Sequence, residues 1–442
     1  MVRFLPTDRQ IFRIAVPALF ALVSEPLMVL ADTAIVGHLG TTPLAGLAIA
    51  ATILNTVVGL CIFLAYGSTA AVARSHGAGA QQEAHTIAVS GLWLAMALGA
   101  ALALTLVAGA DGMTAWIAGS PAVADQAHIY LTITATALPA MLLSLAATGA
   151  LRGELDLRTP LLVTVVANLV NIALNVLFVY GLHLGIAGSA LGTTLAQWGG
   201  ALWLSGIVAL RARRAGAVTR PHPSAVLSAA RDGVPLFART VTLRIALLLP
   251  TILAARLGDT SLAAHQVAMA IVTFIAYALD AIAIAGQTLT GRTLGAGDAD
   301  ETRRLAGRMM GWGVVTGVGA GAVLAATSPL VAMAFTGDAA VRHALVPVLL
   351  VIAAIQPVSG VVFVLDGLLI GAGDGRYLAW AGILTLAVYA PVALLLAGLS
   401  FTWLWVAYAA FMLARLATLG LRERSDRWMV LGTALNRRRQ SP

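Results

Sequence analysis

Apolar runs of about 20 residues, the length that carries an α-helix across a bilayer core, recur along this chain from end to end. Backbone amides inside a membrane must be satisfied within the protein, so only helices and closed barrels can cross. Long Leu/Val/Ala stretches without alternation favour helices over barrel strands. Of 442 residues, 60% are hydrophobic and 10% charged, whereas a soluble domain carries roughly 25% charged residues. The chain reads as an all-α polytopic membrane protein. Its twelve expected spans lie near 11–36, 44–73, 84–109, 127–150, 159–181, 186–210, 233–255, 262–290, 306–335, 344–370, 377–397 and 400–421. The first carries Glu25 and Asp32 and lacks a convincing cleavage site, so it reads as a span and not as a signal peptide.

The 27 positions held by lysine or arginine are all arginine. Without lysine there is no P-loop lysine and no Schiff-base chemistry, and an enzyme is not expected. The net charge of +8 is explained by topology, not by nucleic acid. Only Arg256 and Arg342 fall in the loops expected outside, and Arg239 and Arg244 lie within the seventh span. The remaining arginines are assigned to the termini and the alternate loops. The positive-inside rule then places both termini in the cytoplasm, in a multi-pass protein of the cytoplasmic (inner) membrane. Cys61 stands alone, so no disulfide framework exists. The eight histidines show no ligand spacing such as H-x-x-x-H, and neither a metal nor a cofactor is expected.

The two halves match at a constant offset of 218 residues. Arg13, Val16 and Pro17 correspond to Arg231, Val234 and Pro235, and Arg74 to Gly79 corresponds to Arg292 to Gly297. Pro139, Gly149, Gly153, Asp156 and Arg158 correspond to Pro357, Gly367, Gly371, Asp374 and Arg376. Six spans per half give both repeats one orientation, two six-helix bundles related by a pseudo-twofold along the membrane normal. The expected divisions are an amino-terminal bundle 1–210, a cytoplasmic linker 211–230, a carboxy-terminal bundle 231–421 and a basic cytoplasmic tail 422–442. Such duplication is a transporter signature, with the bundles rocking about a site at their interface.

The buried acids break the symmetry. Asp32 corresponds to Pro250, Asp280 to Ile62 and Asp366 to Thr148. An ionised carboxylate at a span centre costs about 2.5–3.5 kcal/mol, which favours a protonated acid, a bound cation or a partner. Glu25 and Asp32 are spaced i, i+7 and share a helix face. Asn168, Asn171 and Asn175 form one stripe, as do Tyr277, Asp280 and Gln287, and again Gln356, Ser359 and Asp366. Polar stripes of this kind also join helices without any substrate, and Arg239 or Arg244 is placed to neutralise Asp280 and Asp366. Met28 is suited to line a forgiving apolar cavity. Pro17 and Pro26 would bend the first helix and are candidate hinges.

The run Glu25-Pro, followed by Asp32-Thr-Ala-Ile-Val-Gly-His-Leu-Gly40, resembles the first helix of multidrug and toxic compound extrusion (MATE) transporters. Asn171-Ile-Ala-Leu-Asn175-Val-Leu-Phe-Val-Tyr-Gly181 is similar to their fifth helix. Ala276-Tyr-Ala-Leu-Asp280 and Leu365-Asp366-Gly-Leu-Leu-Ile-Gly371 resemble the branch named for DNA-damage-inducible protein F (DinF). The resemblance implies an antiporter in which cation influx drives efflux of bulky, often cationic organic compounds. It implies that Asp32 is the coupling residue, with Tyr130, Asn171, Asn175 and Thr193 as its polar surroundings. Relatives with a cation site often carry a second acid where this chain has Asn175, and losing it weakens a sodium site.

The expected function is therefore proton-coupled export by a monomer in the lipid bilayer. A small organic molecule and a proton, or alternatively sodium, are its partners, and nucleic acid is not. Glu25, Met28, Asn168, Tyr277, Asp280, Gln287, Gln356 and Asp366 are the expected cavity residues. A lipid-precursor flippase is the alternative within transport, and a membrane sensor or assembly factor the alternative outside it.

Overall fold

The computed structural model describes residues 6–433; the part of the expected basic tail beyond 433 lies outside the described residues. The first span is α1 (Pro6–Gly37), one 32-residue helix. The second is a pair, α2 (Thr41–Leu60) and α3 (Phe63–Gly77), which meet at Cys61 and Ile62. After α4 (Gln81–Ile117), the fourth span is again a pair: α5 (Pro121–Ala135) and α6 (Leu138–Gly153), bent by 49°. Pro139 opens α6, where its missing N–H costs no helical bond, so here the proline separates two helices. α7 (Arg158–Val176) runs into a five-residue π-helical segment, Leu177–Gly181, and α8 (Gly185–Arg214) follows. The second half holds α9 (Pro223–Arg256), α10 (Asp259–Gly295), α11 (Ala299–Phe335), α12 (Ala339–Gly371), α13 (Gly375–Ala397) and α14 (Phe401–Arg424). Pro357, the counterpart of Pro139, sits inside an unbroken α12.

Ten of these segments are long and apolar enough to cross a membrane, and α5 with α6 makes an eleventh. The 30-residue α8, which carries Thr193, Thr194 and Gln197, completes the expected twelve. Among the described residues there is no strand.

The chain divides into two compact units, Phe20–Gly233 and a second formed by Met1–Leu19 with Val234–Pro442. The division runs through α1. Near its start the fully buried Asp8 accepts from Arg308 Nε at 2.7 Å, from a second Arg308 nitrogen at 2.6 Å and from Trp312 Nε1 at 2.7 Å. Phe12 stands edge-on to Trp312, with ring centroids 4.7 Å apart.

Within each unit the duplicated small residues mark close helix crossings. A methyl at Gly99 of α4 would lie 2.5 Å from Pro139 Cα, and its counterpart Gly317 of α11 meets Gln356 and Pro357 of α12. Gly149 of α6 rests on the Ala65 carbonyl of α3, and Gly367 of α12 rests on the Ala283 carbonyl of α10. These are backbone-to-backbone approaches of the sort small residues permit in membranes. Leucine at Gly367 is expected to lower stability by about 1–3 kcal/mol or more, because the neighbour is main chain and cannot move aside. Alanine at Gly112, which has nothing within 4 Å, serves as the control in thermal unfolding in detergent.

At the loop between α6 and α7, Arg211 of α8 clasps Glu154 at 2.6 Å and Asp156 at 2.5 Å. Partial burial opposes ionisation of Asp156, but hydrogen bonds from Arg211 and Thr159 outweigh it and hold the carboxyl below its ordinary range. Its folded pKa is therefore below its unfolded value. The clasp's stabilisation is complete above about pH 4 and is lost as pH falls through the folded value. Asp156→Asn is expected to remove that part of the acid-induced fall in unfolding temperature.

Candidate functional site

In the unit Phe20–Gly233, side chains from four helices converge on Asp32. α1 contributes Asp32 itself, 6% exposed, and α7 contributes Asn171 and Asn175, both fully buried and one helical turn apart. Asn175 Nδ2 donates to Asp32 Oδ1 at 2.7 Å and approaches Asn171 Oδ1 at 3.5 Å. Asn171 Nδ2 in turn donates to Thr193 Oγ1 of α8 at 3.0 Å. Tyr130 of α5 is 4% exposed and within electrostatic range of Asp32. The structure thus brings Asp32, Tyr130, Asn171, Asn175 and Thr193 into one polar cluster.

Three contributors are not visible in the sequence. Gly192 of α8 is one: a Cβ there would strike Asn175 Oδ1 and lie 3.0 Å from the Asn175 backbone nitrogen. The missing side chain makes room for the asparagine that holds Asp32. Gly192→Ala is expected to displace Asn175, at about 1–3 kcal/mol of stability; thermal unfolding in detergent checks this. Ser189, one turn earlier on α8, is fully buried and within reach of the Tyr130 hydroxyl, and Asn175 Oδ1 makes no hydrogen bond. A buried polar atom without a partner costs about 1–3 kcal/mol, so such atoms mark places where a structure keeps polarity at a cost. The third contributor is the π-helical segment just after Asn175. Its Tyr180 hydroxyl donates to the Ile35 carbonyl at 2.7 Å and ties α1 beside Asp32. Single π-turns occur often at functional sites.

The other amino-terminal candidates stand apart. Asn168 Nδ2 donates to the Ser24 carbonyl at 3.0 Å and so joins α7 to α1 away from the carboxylate. Glu25 shares the spacing of Asp32 but not its environment: it is exposed where Asp32 is buried, and Met28 is half-buried. Pro17 and Pro26 both lie within the continuous α1.

In the unit that contains Val234–Pro442, Asp366 is 8% exposed and carries two cations. Arg239 Nε donates to Asp366 Oδ1 at 3.1 Å, and an Arg239 terminal nitrogen pairs with Oδ2. Arg415 of α14 reaches the same Oδ2 at 3.1 Å and lies within electrostatic range of Asp280. Arg415 is 9% exposed inside the last span. Its assignment above to the cytoplasmic side is thus corrected. Helix α14 keeps it buried by pairing it with Asp366 and by setting its guanidinium 5.9 Å from the Phe411 ring centre. Arg244 is exposed. Gln287 and Gln356 are buried at 2% and 3%, while Tyr277 and Asp280 are half-buried.

The geometry describes a duplicated helical membrane protein with one lone carboxylate cluster and one neutralised charge cluster. Residues 17–177 and 235–395 each match the MatE family, two segments separated by the same offset of 218 residues. The chain belongs to that family of membrane transporters. It is 32% identical over 426 residues to DNA damage-inducible protein F of Escherichia coli (strain K12), covering 92% of this chain and 90% of that one, in keeping with the expected branch. It is 31% identical over 445 residues to Protein DETOXIFICATION 44, chloroplastic, of Arabidopsis thaliana, covering 96% of this chain and 84% of the relative. A solved outward-facing multidrug resistance MATE family transporter of the MOP superfamily superposes with a TM-score of 0.85 at 20% identity, each chain covered to 96%. That likeness establishes the shared fold.

Proposed function

We propose that this protein exports bulky, often cationic organic compounds by alternating access, driven by protons that bind at Asp32. The observation that carries the reading is the buried carboxylate of Asp32 in α1, met by an asparagine N–H in a cluster that its scaffold counterpart, Pro250, does not reproduce. The proton reading rests on what faces Asp32. The amide of Asn175 presents an N–H to Oδ1, where a hard cation would seek an oxygen ligand. Protonation then removes the charge that attracts the substrate, and the two states must differ in their affinity for it for coupling to result.

Sodium is the second reading, favoured by the buried and unbonded Asn175 Oδ1. Turning the Asn175 amide over would present oxygen to an ion bound by Asp32. Glu25, Met28, Asn168, Tyr277 and Asp280 retain exposure suited to a substrate-lining role, and Gln287, Gln356 and Asp366 would shape the carboxy-terminal part of the cavity. Bending of α1 at Pro17 or Pro26 would link protonation to release. Flipping of a lipid-linked pyrophosphate would need a cationic cavity; of its two candidates Arg239 is engaged with Asp366, which leaves Arg244. The arginine distribution supports cytoplasmic termini in an inner membrane, and the protein acts as a monomer in this reading.

The experiment is efflux of a fluorescent organic cation in everted vesicles, with the proton and sodium gradients imposed separately. Efflux driven by the proton gradient alone supports the proposal. Efflux that needs sodium and ignores the proton gradient overturns the proton assignment.

A further inference from the structure

Away from the Asp32 cluster, three metal-binding side chains meet where α3, α4 and α6 end on one side of the amino-terminal unit. His76 lies in the last turn of α3, His85 in the second turn of α4 and Glu154 directly after α6. One ligand atom from each lies within 4.8 Å of the other two. We infer that His76, His85 and Glu154 form a binding site for a divalent transition-metal ion, zinc by ligand chemistry, that pins these three helix ends together.

The arrangement of the closest pair carries the inference. His85 Nδ1 and Glu154 Oε1 are 3.2 Å apart, on side chains only 10% and 7% exposed. Yet neither atom makes a hydrogen bond. Two buried lone-pair donors at this separation, off hydrogen-bonding geometry, suit a shared third centre. A tetrahedral zinc ion with bonds of about 2.0–2.1 Å holds its ligand atoms ~3.3 Å apart. The His76 ring stands edge-on to that of His85, with centroids 5.8 Å apart. A small ring rotation at the end of α3 brings it into the same sphere. Two imidazoles and one carboxylate suit zinc and exclude magnesium or calcium, which take all-oxygen shells.

Arg211 supplies the outer support. It bonds the other oxygen of Glu154, Oε2, at 2.6 Å and so orients Oε1 towards His85. Such outer partners fix the direction of a ligating carboxylate. The scaffold does not demand these residues. At the offset of 218, His76, His85 and Glu154 correspond to Leu294, Arg303 and Ala372. Leu155, the next residue, holds a left-handed backbone with φ 65°, where its counterpart is Gly373 with φ 67°. A leucine in that conformation is unfavourable.

The test uses full-length protein in detergent with its affinity tag removed and zinc as the only probe. Equilibrium binding is expected to give one zinc ion per chain and a rise in unfolding temperature. His85→Ala and Glu154→Gln are each expected to weaken binding by more than the ~10–100-fold typical of outer-shell losses. Cobalt substitution in the wild type should give the visible absorption of a tetrahedral site, and zinc X-ray absorption should show two imidazoles. The inference is overturned by no stoichiometric binding to wild type, by affinity unchanged in His76→Ala/His85→Ala, or by an all-oxygen shell. If the variants fail to fold, the wild-type spectra alone decide. None of these readouts depends on efflux.

Discussion

Asparagine at Asp32 is expected to reduce proton-driven efflux to the level of vesicles lacking the protein, while the fold survives. The substituted amide oxygen still accepts from Asn175 Nδ2, which now lies 2.7 Å from the carboxylate. A hydrogen bond to a charged group is worth ~1.5–3 kcal/mol and a neutral one ~0.5–1.5, so stability should fall by only about 1 kcal/mol. What disappears is the group that can exchange a proton. The two readouts must therefore separate: thermal unfolding nearly unchanged, transport lost. Wild-type rates in the Asp32→Asn variant would show that coupling lies elsewhere.

Alanine at Arg239 is expected to have the opposite profile. It removes a two-point partner from Asp366, buried at 8% exposure, and leaves Arg415 as its contact through Oδ2 alone. Breaking a buried ion pair by deleting one member costs about 3–5 kcal/mol, since the remaining charge stays out of water. Thermal unfolding in detergent should register a large drop. The efflux that remains should keep the wild-type dependence on pH, because the Asp32 cluster is untouched. An unchanged unfolding temperature would mean that the pair contributes nothing to the fold.

The features legible in the sequence were those set by length and by repetition. Spans of bilayer length separated by arginine-bearing loops define the helices, and the offset of 218 reappears as Gly149 on Ala65 and Gly367 on Ala283. Asp32, Asn171, Asn175, Tyr130 and Thr193 were legible by resemblance. The sequence states no distance, and the structure adds the Asn175 bond that orders them.

What was not legible depends on contacts between residues far apart in the chain. Gly192 looks like any other helical glycine until Asn175 is seen to occupy the space of its missing side chain. Arg415 lies in the last span, and only its partner on α12 makes its burial intelligible. His76, His85 and Glu154 have no ligand spacing along the chain, since three different helix ends bring them together. The allotment of α1 between two units follows from side chains such as Asp8, whose partners Arg308 and Trp312 lie 300 residues or more away.

If substrate and proton compete through Asp32, as proposed, substrate binding releases a proton. Purified protein in weakly buffered detergent, titrated with an organic cation, should release close to one proton per molecule bound. The release should be the same with or without sodium and absent in Asp32→Asn. Binding without proton release in the wild type, or release undiminished in Asp32→Asn, would contradict the account.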